Sequence, residues 1–343
     1  MPERRPVVAC LDTWAPAVCE VVRRTAPPEL ELRFAESYDE AHQRALAADA
    51  DFLLPGWAAV TDDMLAGATR LRLIQKWGIG VDRIDVEAAR RRGIPLAITA
   101  GSNAAPVAEL AIALMLAVYR RIPYVNRVMR EGEWPKAAMR ETCFQIAGKR
   151  VGIVGFGNIG RMLARRLAGF DCEIVYADAR RAEADVEAKL AARRLPLAEL
   201  LATSDIVSLH APFIAETARM IDAAALASMN VGAILINTAR GELVDEAALY
   251  DALVAGTLRG AGLDAFDPEP PAADNPLLTL DQVVVTPHAG GGVFDNVENV
   301  ARHALGNILR VLRGEAVAAA DVVIPVGIAP TPTHAATTGA AHV

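Results

Sequence analysis

Arg150-Val151-Gly152-Ile153-Val154-Gly155-Phe156-Gly157-Asn158-Ile159-Gly160-Arg161, continued by Cys172-Glu173-Ile174-Val175-Tyr176-Ala177-Asp178, reads as strand, tight turn, helix, strand and acid. Val151, Ile153 and Val154 form the short β-branched run that suits a buried parallel strand. Gly155, Gly157 and Gly160 complete a G-x-G-x-x-G turn. In such a turn the first glycine allows the bend, the second lets a pyrophosphate approach the backbone, and the third lets helix and strand pack closely. A helix opening near Asn158 aims unpaired N–H groups at phosphate oxygens. Leu163, Leu167 and Phe170 lie near one helical face, with Gly169 as the expected stop. Asp178 follows Gly160 by 178 − 160 = 18 residues and ends the next apolar run. There a carboxylate can accept hydrogen bonds from an adenosine ribose. The stretch predicts a dinucleotide site; the alternative is a glycine-rich turn of another α/β protein, with Asp178 a solvated strand end.

Outward from this unit the chain alternates strand and helix. Before it, strands are expected at Val7–Cys10, Leu30–Phe34, Phe52–Leu54, Arg72–Lys76 and Pro95–Ile98, with helices such as Ala15–Arg24, Asp39–Ala48 and Asp85–Arg92 between them. One long helix, about Ala105 to Glu131, is expected next, then an irregular segment Gly132–Gly148. After Asp178 the rhythm continues through strands Ile206–His210, Ala233–Asn237, Gly260–Asp264 and Val283–Thr286, and a helix from Asn296 to Arg313 returns to the first lobe. Such alternation predicts parallel, helix-covered sheets that gather ligands at the carboxyl ends of their strands. A nucleotide unit that opens mid-chain implies another domain placed before it.

The 343 residues suffice for two domains, and 53% hydrophobic content supplies a large core. The net charge of 35 − 42 = −7 gives no electrostatic footprint for nucleic acid or an anionic membrane. Arg90-Arg91-Arg92 is read as a solvated helix end. Met1 to Arg5 lead directly into a strand, so no signal peptide is expected. The apolar stretch near Val107–Tyr119 contains Glu109 and is too short to span a bilayer. Four cysteines without a C-x-x-C pair indicate neither zinc nor a disulfide framework, so no metal and a reducing cytoplasm are expected.

Three turns after strands hold candidates for chemistry. Arg240, in Asn237-Thr238-Ala239-Arg240-Gly241, offers a planar fork for a carboxylate or polarised carbonyl, unless it pairs at the surface with Glu242 or Asp245. Asp264 ends a strand, and Glu269 stands between Pro268 and Pro270. The prolines restrict its backbone and suit a carboxylate that orients a histidine; the alternative is an exposed acidic loop. His288, in Thr286-Pro287-His288-Ala289-Gly290, can shuttle protons for alcohol–carbonyl interconversion, unless it is a buried ring bonded to backbone. His210 is its nearest rival and is read as lining the cofactor pocket beside Pro212.

From about Leu71 to Gly314 the chain resembles the D-isomer-specific 2-hydroxyacid dehydrogenases. The resemblance rests on Gly78-Ile79-Gly80-Val81-Asp82-Arg83-Ile84-Asp85, on Asn103 with Val107-Ala108-Glu109, and on Val151–Gly160 with Asp178. It extends through Leu209-His210-Ala211-Pro212, Asn237–Gly241, Asp264–Pro270 and Pro287-His288. It implies that Arg240, Glu269 and His288 are catalytic, and that Ile79 and Gly80 take the substrate carboxylate through backbone N–H groups, beside Arg240 and His288. It also implies that Asp264 holds the nicotinamide carboxamide. The cofactor would further meet Val107, Gly155, Gly157, Asn158, Ile159, Gly160, Asp178, His210, Pro212, Thr238, Ala239, Arg240 and His288. The fold implied is α/β, with two doubly wound parallel-sheet lobes and a cleft between them. A flavodoxin-like substrate domain (1–102, completed by 292–325) accompanies a Rossmann NAD-binding domain (103–291), and the tail 326–343 is expected to be poorly ordered. The activity implied is NAD-dependent interconversion of a small (R)-2-hydroxy acid and its 2-oxo acid by a homodimer. An NADH-sensing corepressor-like protein and a formate or phosphite dehydrogenase are the alternatives. Pro106, Ala265, Gly290-Gly291-Gly292 and Gln75-Lys76-Trp77 depart from the usual pattern and bear on the substrate more than on the reaction.

Overall fold

The computed structural model describes residues 4–326. The chain divides into two compact units: one runs to Ser102 and resumes at Val297, and the other is Asn103–Asn296. The tail expected to be poorly ordered lies, apart from Val326, outside the described residues.

The first unit opens with β1 (Val7–Cys10), α1 (Pro16–Thr25), β2 (Glu31–Phe34), α2 (Glu40–Ala48), β3 (Phe52–Leu54), α3 (Asp62–Gly67), β4 (Leu73–Gln75), α4 (Val86–Arg91) and β5 (Leu96–Ala97). The second contains α5 (Ala104–Tyr119), α6 (Ile122–Arg130), α7 (Lys136–Thr142), β6 (Arg150–Val154), α8 (Asn158–Leu167), β7 (Glu173–Ala177), α9 (Ala184–Leu190) and β8 (Ala192–Arg194). It continues through α10 (Leu197–Thr203), β9 (Ile206–Leu209), α11 (Ala223–Ser228), β10 (Ile234–Asn237), α12 (Glu246–Val254), β11 (Gly260–Leu263) and β12 (Val283–Val285). Then α13 (Val297–Leu312) and β13 (Val322–Ile324) complete the first unit.

The first sheet has the order β13-β5-β4-β3-β1-β2. Its first five strands follow the flavodoxin-like pattern, and every pairing among them is parallel. Strands β1, β3 and β4 are buried throughout, as a sheet covered on both faces requires. Local chemistry starts and stops the helices as expected: Asp39, Thr61 and Asp85 each accept from an N–H three residues on, and Gly93 follows α4 at φ 65°. Ala301, Ala304, Leu305, Ile308 and Val311 line the buried stripe of α13 and pack in one cluster with β1, β3 and β4. The short strand β13 was not expected, and it pairs antiparallel with β5. Just before it, buried Asp321 accepts from the Ala100 N–H at 2.9 Å and from Asn307 Nδ2 at 3.2 Å, and its carboxylate lies 2.7 Å from His303 Nε2. Asn307 also donates to the Ile98 carbonyl, and Asn299 Nδ2 reaches the Ser102 carbonyl at 3.5 Å.

The second sheet has the order β12-β11-β10-β9-β6-β7-β8 and is parallel throughout. Read from β8 this is the doubly wound dinucleotide order with one strand added, and the chain reverses direction between β6 and β9. Side chains alternate between faces: Ile153, Ile206 and Ile236 pack with α5 and α8, and Val154, Val207 and Leu235 pack with α10–α12. Each such fully buried side chain contributes about 1.5–3 kcal/mol.

Three local expectations need correction. The helix expected over Ala105–Glu131 is two helices, α5 and α6, broken at Arg121, whose φ is 51°. Pro123 has no N–H to continue the ladder, and the Tyr119 carbonyl that would have received it accepts from Phe144 N instead. The segment expected to be irregular contains α7, none of whose residues is buried. The helix after the glycine turn tightens into a 3₁₀ turn over Ala168–Phe170, so the left-handed residue that ends it is Asp171 at φ 53°, rather than Gly169. Among the described residues no helix is long and apolar enough to cross a membrane.

Candidate active site

The three glycines of the turn after β6 are there for three different reasons. Gly155 has φ 91°, and a Cβ on it would lie 2.6 Å from the Ala211 nitrogen, so the segment after β9 closes directly on it. A Cβ on Gly160 would lie 2.2 Å from the Gly155 carbonyl oxygen. Gly157 has an ordinary φ of −77° and nothing within 4 Å of where a Cβ would stand. Neither strain nor packing in the chain asks for glycine at Gly157; close approach of something from outside does. Gly157 and Asn158 are exposed and Ile159 half-buried, at the start of α8.

Asp178 stands at the end of β7. Its Oδ2 accepts from the Phe156 N–H at 2.6 Å and its Oδ1 from the Arg180 N–H at 2.9 Å. The acid therefore tethers the glycine turn to the next strand. A carboxylate has about four acceptor sites, so capacity remains for ribose hydroxyls.

Next to this turn the ends of β9 and β10 carry polar atoms without protein partners among the described residues. His210 pairs its Nε2 with Ser208 Oγ at 2.8 Å, and its Nδ1 is buried and unpartnered among the described residues. Burial pushes the His210 pKa down to about 3, so the ring is neutral. Thr238 Oγ1 is buried and likewise unpartnered. Orphaned buried groups cost about 1–3 kcal/mol each, and a polar ligand at the switch point would satisfy them. Pro212 is exposed just beyond His210, and its carbonyl accepts from Thr217 Oγ1. The uncrowded Gly157, the remaining capacity of Asp178 and the orphans fit a dinucleotide.

The ends of β10, β11 and β12 assemble the other candidates within the same unit. Asn237 builds the turn after β10: its Oδ1 accepts from the Ala239 N–H and its Nδ2 donates to the Arg240 carbonyl. Gly241 is needed here, because a Cβ would lie 2.0 Å from the Phe266 carbonyl carbon. Half-buried Arg240 donates from Nη1 to the Ala239 carbonyl, whereas Asp245, one of its proposed surface partners, caps α12. Asp264 is 1% exposed. It accepts from Thr286 Oγ1 at 2.6 Å, the Ala289 N–H at 2.7 Å and the Gly290 N–H at 2.9 Å. These bonds fix the backbone on either side of His288, whose φ of 51° is a left-handed value. Val107, buried in α5, lies 3.4 Å from where a Cβ on Gly290 would stand.

His288 Nδ1 lies 2.9 Å from both oxygens of Glu269. Glu269 Oε1 also accepts from the Phe266 N–H at 3.0 Å. Burial alone would raise the Glu269 pKa. The His288 hydrogen bond and charge, the Phe266 N–H and the Arg240 charge outweigh it and hold the carboxyl below its usual range. Glu269 is thus an anion at neutral pH, facing an imidazole held in one orientation.

Ser208, Asn237 and Thr286 escaped the sequence reading as site residues, although each adjoins a named one. Only Asn237 left a signal, as an Asn at a strand end before a turn. Ile79 and Gly80 belong to the first unit. There Gly78, at φ 109°, exchanges hydrogen bonds with Thr99, and the N–H groups of Ile79 and Gly80 make no hydrogen bond among the described residues.

Residues 112–290 match the model of the D-isomer specific 2-hydroxyacid dehydrogenase, NAD binding domain. D-3-phosphoglycerate dehydrogenase of Mycobacterium tuberculosis is 39% identical over 311 residues, covering 90% of this chain and 57% of its own. The chain thus spans little more than half the length of that relative. Glyoxylate reductase of Korarchaeum cryptofilum is 41% identical over 255 residues, covering 74% of this chain and 76% of its own. The NAD-dependent formate dehydrogenase of Staphylococcus aureus, solved in complex with NAD, superposes with a TM-score of 0.82 at 25% identity, covering 94% of this chain and all of its own. The glycine turn, its acid and the matched span agree: the chain belongs to the D-isomer specific 2-hydroxyacid dehydrogenase family, whose NAD-binding domain lies in the second unit.

Proposed function

We propose that the chain is an NAD-dependent oxidoreductase interconverting a small (R)-2-hydroxy acid, of the lactate, glycerate or glycolate type, and its 2-oxo acid. The observation that carries this reading is the Glu269–His288 pair, 2.9 Å apart on the sheet edge that bears the glycine turn. Bound NAD supplies or accepts the hydride. His288 uses its second ring nitrogen to protonate the developing alkoxide in reduction and to deprotonate the hydroxyl in oxidation. Glu269 holds the ring by Nδ1. Arg240 grips carboxylate and carbonyl with its planar fork. The N–H groups of Ile79 and Gly80 offer further donors to the carboxylate, and Asp264 holds the loop of His288 and the nicotinamide carboxamide.

Relatives named for 3-phosphoglycerate and glyoxylate chemistry support this substrate class. Formate dehydrogenases share the fold, but hydride loss from formate gives carbon dioxide directly, so a histidine–carboxylate pair would have no proton to move. The reading extends to a homodimer through α5 and α6, supported by the exposed Ile122, Met129 and Trp134 on α6 and just beyond it. It also extends to a cytoplasmic location, supported by four free thiols. The test follows nicotinamide absorbance with pyruvate, hydroxypyruvate and glyoxylate. NADH should be consumed with roughly tenfold or higher kcat/KM than NADPH, whose 2′-phosphate meets the like charge of Asp178. NADH that binds but is consumed with none of them overturns the reading in favour of an NADH-sensing binding protein.

A further inference from the structure

The loop that carries Glu269, from Phe266 to Asn275, follows β11 and passes against the turn that carries Arg240. The contact is at Gly241, where a Cβ would lie 2.0 Å from the Phe266 carbonyl carbon. Pro268, Pro270 and Pro271 have no N–H, so Asp267 and Glu269 hold the only backbone donors of this proline-rich stretch. Among the described residues a single hydrogen bond ties the backbone of 267–271 to another element. It runs from the Asp267 N–H to Glu246 Oε1 at 2.9 Å.

Glu246 opens α12. A glutamate in a first turn ordinarily serves its own helix by complementing the dipole. Here both oxygens are engaged with the loop: Oε1 accepts from the Asp267 N–H, and Oε2 accepts from Asn275 Nδ2 at 2.7 Å. The two anchors lie on either side of Glu269 in the chain. Asn275 is itself held, because its Oδ1 accepts from the N–H of buried Leu277 at 3.0 Å. The base of Glu246 is fixed as well. Asp245 accepts from the Ala248 N–H and donates its own N–H to the Ile221 carbonyl, and Leu249 is fully buried. Glu246 is thus a strut from a fixed helix start to both ends of the Glu269 loop, a few residues after Arg240 in the same segment.

We propose that Glu246 is a positioning residue for the reaction: by gripping the loop on both sides of Glu269, it sets where that carboxylate meets His288 Nδ1. This rests on the dehydrogenase reading above. The chain neighbours of Glu269 are prolines, which cannot donate to a neighbouring element, so its placement is inherited from the ends of the loop. Hydrogen bonds to a carboxylate are about twice as strong as neutral ones, and a catalytic group displaced by about 1 Å can cost up to about 10²-fold in rate.

The test is a mutant cycle read with NADH and the most rapidly reduced of pyruvate, hydroxypyruvate and glyoxylate, with kcat expressed per NADH-binding site. Glu246→Ala should lower kcat by roughly fivefold while KM and NADH affinity stay within about twofold of wild type. Glu246→Gln keeps an acceptor for the Asp267 N–H and should recover most of the loss. In a Glu269→Ala background there is no carboxylate to place, so adding Glu246→Ala should change kcat by less than about twofold. Should Glu246→Ala fail to fold, Glu246→Asp carries the same comparison, since it keeps the charge at the helix start and loses the reach to the loop. An equal fold loss in both backgrounds, or a wild-type kcat per site in the Glu246 variants, overturns the positioning role and leaves the dehydrogenase reading standing. If the wild type reduces none of the three acids, the dehydrogenase reading falls and this assignment falls with it.

Discussion

At the carboxyl edge of the first unit, charge is turned inward. Asp12 collects three backbone N–H groups and a tyrosine hydroxyl, and Lys76 collects two carbonyls. At the corresponding edge of the second unit, polar capacity is left open: His210 Nδ1 and Thr238 Oγ1 have no protein partner among the described residues, and Glu269 is held as an anion against His288. Both edges end parallel sheets with similar rhythm, so the scaffold does not decide which chemistry appears. The residues grafted after the strands do. Around Asp12 and Lys76 the first edge closes on its own backbone, whereas the buried His210 Nδ1 and Thr238 Oγ1 of the second wait for a ligand, and ligand binding should therefore stabilise the second unit.

The sharpest way to break this contrast is to remove the open chemistry. His288→Gln should lower kcat in both directions by roughly 10²–10⁴-fold and leave NADH binding, read by fluorescence titration, within about twofold of wild type. A mutant that turns over normally would make His288 a structural residue. A smaller effect is expected where charge is turned inward. Asp12→Asn should destabilise the protein by about 1–3 kcal/mol, because an amide cannot accept from the three N–H groups as a carboxylate does. Urea unfolding followed by tryptophan emission would report it, since three of the four tryptophans lie in this unit. NADH affinity should not change; a parallel loss of NADH affinity would mean that the two edges are not independent.

The smallest expected effect concerns Glu269. Its carboxylate meets His288 Nδ1 at 2.9 Å through both oxygens and holds the ring in place. Glu269→Gln keeps the size and one acceptor, so kcat should fall by roughly tenfold in both directions, while NADH affinity by fluorescence titration stays within about twofold of wild type. A wild-type rate in this variant would leave His288 in need of another partner.

What the sequence discloses here depends on how local each cause is. The turn from Gly155 to Gly160 and the acid at Asp178 were legible because spacing, strand and helix lie within one stretch. Arg240, Glu269 and His288 were legible as residues just past strand ends. The break between α5 and α6 was not, because a proline in a first turn is ordinary; it becomes a break when Phe144 takes the Tyr119 carbonyl. The edge strand β8 hid because Ala192-Arg193-Arg194 has no apolar run, and its two arginines are exposed. Asp12 looked like any strand end, since its donors lie 44 to 46 residues away. The same holds for Asp264, whose part in fixing the backbone around His288 depends on donors from the segment after β12.

The corner around Asp321 has a further meaning. Ala100 and Ile98 just before one crossing, and α13 just after the other, are bonded there to the same carboxylate and amide. From the standpoint of the first unit, everything from Asn103 to Asn296 is therefore one excursion of 296 − 103 + 1 = 194 residues that leaves and returns at a single fastened place. A chain built that way is modular: its interior segment is a cassette. Bridging Ser102 to Val297 with a few glycines and serines would turn the discontinuous unit into a continuous, single-piece fold. The cassette could then be exchanged without redrawing its host.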